Sequence, residues 1–233
     1  PTQLAINASD HLYAATSIDL FRSTDGGQNW AGLNDTIVQS TVNNILVNNN
    51  NHYFAVVSGG GLYRSLDAGA NWQAVNNGWQ GAAVLDIAMN SGGDLFVSTN
   101  GGIPFGGVYR SVDNGNTWDL VTDTGSVIVN ALAITSTGDI YGGVGWPLGI
   151  TKSTDNGATW ATVFSGDNPC YVFEQIEVGA NDLVVAGGQF CGDKVYTSDD
   201  DGATWIAHDI GPGGGGATIS ALSTRADGTI MAA

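Results

Sequence analysis

Apolar residues in this chain fall in short runs, separated by turns rich in Gly, Asn and Asp, and one run recurs as a column. It reads Leu4-Ala5-Ile6, Ile45-Leu46-Val47, Ile87-Ala88-Met89, Leu132-Ala133-Ile134, Ile176-Glu177-Val178 and Leu222-Ser223-Thr224. A period of two places the first and third members of each triplet in the core between packed sheets. The middle member and the residue before the first are expected to face a central channel. Behind each triplet the pattern predicts three more strands. In the second repeat the four are Asn43 to Val47, Tyr53 to Val57, Gly61 to Ser65 and Trp72 to Val75. Turns such as Ser136-Thr137-Gly138-Asp139 and Asp227-Gly228 join the first strand to the second.

Between the third and fourth strands a short phrase returns, Ser-x-Asp-x-Gly-x-(Thr/Asn)-Trp. Its fixed positions are Ser23, Asp25, Gly27 and Trp30; Ser65, Asp67, Gly69 and Trp72; Ser111, Asp113, Gly115 and Trp118; Ser153, Asp155, Gly157 and Trp160; and Ser198, Asp200, Gly202 and Trp205. The Trp-to-Trp steps are 42, 46, 42 and 45 residues. A period near 40–45 residues is the signature of a β-propeller built from small sheets. Each phrase is read as a hairpin connection whose Gly takes φ > 0. Its Asp accepts bonds from its own loop, as Asx-turns do. Its Trp wedges an apolar ring against a neighbouring sheet.

These phrases resemble Asp-box, or bacterial neuraminidase, repeats. Such repeats occur in sialidases, xyloglucanase-type glycosidases, the sortilin family, a photosystem assembly factor and many secreted bacterial proteins. The resemblance covers nearly the whole chain and implies an all-β propeller of four-stranded antiparallel blades. It also implies that the box residues are structural and lie on the face away from an active site.

The register gives five complete blades, at about 1–34, 41–76, 84–121, 129–163 and 171–207, and the start of a sixth at 218–233. The first segment is already a first strand, so it cannot complete the sixth blade. The expectation is one incomplete domain, a fragment of a six- to eight-bladed ring. An open ring leaves strand edges of the kind proteins avoid. A chain opening on Pro1, with no basic-apolar leader, reads as processed or truncated.

Net charge is −16, from 22 acidic residues against six Lys plus Arg. Arg22, Arg64, Arg110 and Lys152 hold equivalent positions beside the phrases, which leaves no basic patch for nucleic acid or an anionic membrane. No apolar stretch reaches the ~18 residues of a membrane span. Cys170 and Cys191 flank a predicted hairpin that turns at Ala180-Asn181, and a mirror register about that turn sets them opposite each other. The pattern predicts a disulfide there and so an oxidising compartment.

In a propeller the loops between second and third strands, and between blades, form the face where ligands usually bind. Trp79, Phe105, Trp146 and Phe190 are expected there, as an aromatic platform for sugar rings or a partner protein. For a hydrolase, the acid–base candidates are Asp86 and Glu177 in the channel-facing column. The arginine triad, Tyr nucleophile and Arg-Ile-Pro motif of sialidases are absent from this stretch. Longer blades and a second propeller would be needed for a xyloglucanase. His11, His52 and His208 lack ligand spacing, and Asp199-Asp200-Asp201 lacks spaced oxygen ligands, so no metal and no cofactor is expected.

The leading expectation is a non-catalytic, secreted or cell-surface recognition or adhesion module for glycan or extracellular protein, without nucleic acid or membrane insertion. Proteins with this look are often large exported surface proteins, so the resemblance extends to a fragment of a type IX secretion cargo. The alternatives are a glycoside hydrolase with part of its catalytic set elsewhere, and a structural spacer in a surface assembly.

Overall fold

A computed structural model describes residues 3–7, 9–16, 19–33, 41–48, 50–79, 83–100, 106–121, 128–145, 148–165, 172–189, 194–211, 219–225 and 227–232. They form five four-stranded antiparallel sheets and one two-stranded sheet. The first blade holds β1 (Gln3–Ile6), β2 (Leu12–Ala15), β3 (Leu20–Ser23) and β4 (Ala31–Gly32). The second holds β5 (Val42–Val47), β6 (Tyr53–Val57), β7 (Gly61–Ser65) and β8 (Gln73–Ala74). In the third are β9 (Ala83–Met89), β10 (Leu95–Asn100), β11 (Gly107–Ser111) and β12 (Asp119–Leu120). The fourth has β13 (Val129–Ile134), β14 (Ile140–Val144), β15 (Ile150–Ser153) and β16 (Ala161–Phe164). The fifth has β17 (Val172–Val178), β18 (Val184–Gln189), β19 (Lys194–Ser198) and β20 (Ile206–Asp209), with a 3-10 turn at Ala180–Asp182. Two strands, β21 (Leu222–Thr224) and β22 (Ile230–Ala232), pair after it.

Sheet order follows chain order in every blade, as expected for four strands joined by hairpins. The chain forms two compact units, 1–105 with 109–120, and 106–108 with 121–233. In the first unit β1 touches β5 and β5 touches β9; in the second β13 touches β17 and β17 touches β21. The first strand of each sheet is therefore the one that lies against its counterparts.

Blades stack face to face, so the middle strands are covered on both sides. This is why β6 reads Tyr-Phe-Ala-Val-Val without alternation, every residue of it buried. The same packing corrects the expectation that middle members of the triplets face a channel. Leu46 packs into a cluster with Ile87 and Leu95 of the next blade, and Ala133 into one with Phe173 and Ile176. Alternation along a first strand distributes side chains between the two neighbouring blades. Its outer backbone edge, rather than a face, is what remains uncovered by strands of its own sheet. Of the outer members, the first follow the expected pattern, with Ile45, Ile87, Leu132, Ile176 and Leu222 buried and Leu4 exposed, whereas the third do not: Val47, Met89, Ile134, Val178 and Thr224 are half-buried and Ile6 is exposed.

One regular feature left no mark in the apolar pattern. The first strands of blades two to five each carry a bulge, between Val42 and Asn44, at residue 85 opposite Ser98/Thr99, between Val129 and Ala131, and between Phe173 and Gln175. An extra residue there bends the strand and re-aims its first side chains. In β17 and β18 the pairs outside the bulge, Val172 with Gln189 and Phe173 with Gly188, keep the mirror register read from the sequence. Cys170 and Cys191 lie outside the described residues.

Candidate functional site

The five repeated turns share one set of hydrogen bonds. Each Ser is buried, and its Oγ accepts from the N–H of the box Gly at 2.8–2.9 Å. The same hydroxyl donates to Oδ1 of the Asp at 2.8–2.9 Å. That Oδ1 also accepts the backbone N–H four residues on, while Oδ2 takes the side chain of Asn29, Asn71, Thr117, Thr159 or Thr204. These donors depress the carboxyls. Asp25 is held down to about 2 first by the backbone N–H of Asn29, Asp67 first by the Asn71 side chain, and Asp113 first by the Thr117 hydroxyl. The Thr159 and Thr204 hydroxyls lead the lowering at Asp155 and Asp200. Both oxygens of every box carboxylate are thus spent on folding the turn.

The box Gly has the expected positive φ, for instance 89° at Gly69. The residue before it is also left-handed: Gly26, Ala68, Asn114, Asn156 and Asp201 lie at φ 57° to 71°. Three of these five are Asn or Asp, types that tolerate that region.

The repeated cations have a role that sequence reasoning missed. Arg64, buried on β7, donates Nη1 to the carbonyl of Asn114 at 2.6 Å and to Oδ1 of Asn116 at 2.9 Å, in the turn of the following blade. Lys152, buried on β15, stands 3.2 Å from the carbonyl of Asp201 in the same relation, and pairs with Asp139 at 2.8 Å and Asp201 Oδ1 at 2.5 Å. Burial opposes its charge, but the bonds to the two carboxylates outweigh that and hold the ammonium above its ordinary pKa. Lys152 also lies over the Tyr141 ring, whose phenol burial raises to about 12. Arg110 pairs with Asp94 of its own blade, as Lys152 does with Asp139.

Trp79 is not part of a ligand platform. It is 4% exposed, with its ring centroid 4.9 Å from Trp118 and 5.5 Å from Tyr109. Trp118 turns to meet it and donates Nε1 to the carbonyl of Val75, whereas Trp30, Trp72 and Trp160 donate to the Gly of their own turn. An aromatic residue outside the repeat is here a core residue answering a neighbour that deviates. Phe105, Trp146 and Phe190 lie outside the described residues.

Asp86 is half-buried on β9, and its Oδ1 accepts from Asn44 Nδ2 on β5 and from the backbone N–H of Ile87 at 2.8 Å. It ties two adjacent first strands together. Glu177 is half-buried on β17 in the other unit. Among the described residues no group of three His, Cys, Asp or Glu is placed to hold a metal, and no helix is long and apolar enough to cross a membrane.

A cleft of about 420 Å³ opens at the turn end of blades two and three. Three amides line it, Asn48, Asn50 and Asn114, with the Ser91 hydroxyl and the edge of Asp113. Met89 and Val112 give it two apolar patches. Asn48 is set by an Asx-turn: its Oδ1 accepts the N–H of Asn50 at 3.0 Å and of His52 at 2.9 Å. Its Nδ2 donates to Asn114 Oδ1 at 3.0 Å, and Asn114 Nδ2 reaches His52 Nδ1 at 2.7 Å. The cleft went unread in the sequence. Its signal was the run of four asparagines from Asn48 to Asn51.

No protein-family model and no curated protein matches the sequence. Solved structures do resemble it. YCF48 from Cyanidioschyzon merolae aligns with a TM-score of 0.68 at 17% identity, over 98% of this chain and 78% of that one. YCF48 bound to D1 peptide gives 0.62 at 20% identity, over 89% and 71%. The GH74 xyloglucanase from Xanthomonas campestris gives 0.66 at 19% identity over 88% of this chain, which spans only 38% of that enzyme. The fold is that of a β-propeller. Identities this low speak to fold alone, and the three neighbours include an enzyme and a peptide-bound protein.

Proposed function

We propose that the chain is a non-catalytic recognition module of the Asp-box type, secreted or on a cell surface, that engages a glycan or a protein. The observation that carries this reading is where hydrogen-bonding capacity is spent and where it is left open. The box carboxylates are consumed by their turns, and Asp86 joins β5 to β9. By contrast, Asn50 and Ser91 face a polar cleft with no partner for their side chains among the described residues. Open polar groups on a rigid scaffold suit binding. The YCF48 bound to D1 peptide supports a protein partner as one form of it.

The likeness to a GH74 xyloglucanase supports glycoside hydrolysis as the second reading, with Asp86 and Glu177 as its carboxylate candidates. A polysaccharide panel that scores retention and released reducing ends together separates the two. Retention without release is expected. Release of sugar that Asp86→Asn or Glu177→Gln abolishes would overturn the module reading.

The extracellular part of the proposal rests on Cys170 and Cys191. The register of Val172 with Gln189, carried outward, supports a bridge between them. Alkylation of the native, exported protein followed by mass measurement is expected to find neither thiol free. Labelling of both would remove this argument for an oxidising compartment.

A further inference from the structure

We infer that the turn-end cleft of blades two and three binds an uncharged saccharide; the inference rests on the recognition reading and assigns it a site and a ligand class. The first argument is charge. Among the described residues no Lys, Arg or His lines the cleft, which gives it no cation for phosphate, sulfate or carboxylate. Its one acid, Asp113, already has both oxygens bonded by Ser111 and Thr117. What remains is neutral hydrogen bonding from amides and a hydroxyl.

The second argument is unspent capacity in fixed groups. Asn48 and Asn114 each use one amide hydrogen within the protein and keep the other. Both are locked, Asn48 by its Asx-turn and Asn114 by Asn48, His52 and the Arg64 bond to its carbonyl. Asn50 and Ser91, both exposed, add acceptors and donors with no partner among the described residues. Paired donors and acceptors suit the vicinal hydroxyls of a pyranose, and the patches from Met89 and Val112 suit its C–H face. The volume of about 420 Å³ falls in the range of small-ligand sites, which is ~300–1,000 Å³.

The third argument separates saccharide from peptide. Apart from Met89, the last residue of β9, the lining comes from two strand-connecting turns and a repeated turn, so one strand end and no length of strand edge borders it. An extended peptide therefore finds no backbone ladder to join.

The test is saturation-transfer NMR and calorimetry with cellotetraose, chitotriose and mannotriose at about 5 mM, a concentration suited to single-site affinities near ~1 mM. Wild type is compared with Ser91→Trp, which fills the cleft, and Asn50→Ala, which removes an exposed amide. Both sites are at the surface, and unchanged thermal melts establish that the variants fold. At least one probe is expected to bind wild type and to weaken roughly tenfold or more in both variants, about 1.4 kcal/mol. Binding that both variants leave unchanged overturns the cleft assignment while the recognition reading stands. No binding of any probe, with a protein partner retained by wild type and lost in Ser91→Trp, overturns the saccharide and makes the cleft a protein site. No binding of any probe and no retention in the polysaccharide panel overturns both.

Discussion

The arginine on β7 makes the sharpest stability prediction, because the protein contains its own control. Arg64 is 7% exposed and holds the left-handed turn of the next blade through two bonds, 2.6 Å to the Asn114 carbonyl and 2.9 Å to Asn116 Oδ1. Hydrogen bonds from a charged donor contribute roughly 1.5–3 kcal/mol each. Asn116 is exposed and regains water when Arg64 is removed, so its bond counts for little. The Asn114 carbonyl loses a short bond, and the guanidinium stem leaves a gap between blades. For Arg64→Met the sum is a loss of about 2–3 kcal/mol, or roughly 4–12 °C in Tm for a chain of this size. Lys152 shows that an ammonium at the equivalent position reaches the equivalent carbonyl, at 3.2 Å from Asp201 O. Arg64→Lys should therefore recover half or more of the loss. Calorimetric melts of the three proteins at one pH and salt concentration decide it. A Met variant within about 0.5 kcal/mol of wild type, or a Lys variant no better than Met, would refute the strut.

Trp79→Ala empties a site packed by Trp118 and Tyr109 and should cost about 3–5 kcal/mol, read by denaturant unfolding; ligand loss in that variant would report unfolding, not a lost contact. Ala68, at φ 62°, holds a position taken elsewhere by Gly, Asn or Asp, so Ala68→Gly or Ala68→Asn should raise stability by about 0.5–1 kcal/mol in the same assay. Asp25, Asp67 and Asp113 are depressed to about 2 in the fold, against ~3.9 in an unfolded chain. A depressed folded value gives stability that is present above the unfolded value and is lost as pH falls through the folded one. Tm should hold steady from neutral pH to about pH 4 and then fall toward pH 2, with a shallower fall in Asp113→Asn; a flat Tm over that interval would contradict the turn geometry.

The sequence disclosed strands and turns because their physics is local. Tyr53 to Val57 and Gly61 to Ser65 match the observed β6 and β7 at both ends, since a turn fixes each boundary. The positive φ of each box Gly was legible for the same reason. What stayed hidden depends on residues distant in the chain. The direction of Leu46 depends on a neighbouring blade, the partner of Arg64 lies 50 residues on, and Trp79 is buried against Tyr109 and Trp118, 30 and 39 residues further along the chain. Bulges in the first strands were invisible because each lies just before the apolar triplet, outside the stretch whose alternation carries the signal. The cleft was missed because its residues are polar, turn-forming types, whose simplest role is to make a turn. Asn48 does that with Oδ1 and still presents Nδ2 to its surroundings.

A repeat protein marks its site by where the repeat fails. All five turns place an Asn or Thr on Asp Oδ2, and the third makes contacts of its own besides. Its Trp donates across to Val75, its left-handed Asn114 is bonded to both Asn48 and His52, and its tip residue Val112 is 68% exposed. None of these changes is needed to close the turn, since Ser111, Asp113 and Gly115 make the same bonds as their counterparts. Arg110, at the position of Arg64 and Lys152, pairs with Asp94, beside the cleft residues Gly92 and Gly93. The contacts of Asn114 and the exposed Val112, which the turn's own bonds do not require, lie at one end of blades two and three, around the same cleft. Their clustering is the argument for spending the first binding experiments there, and not on the box carboxylates that give the repeat its pattern.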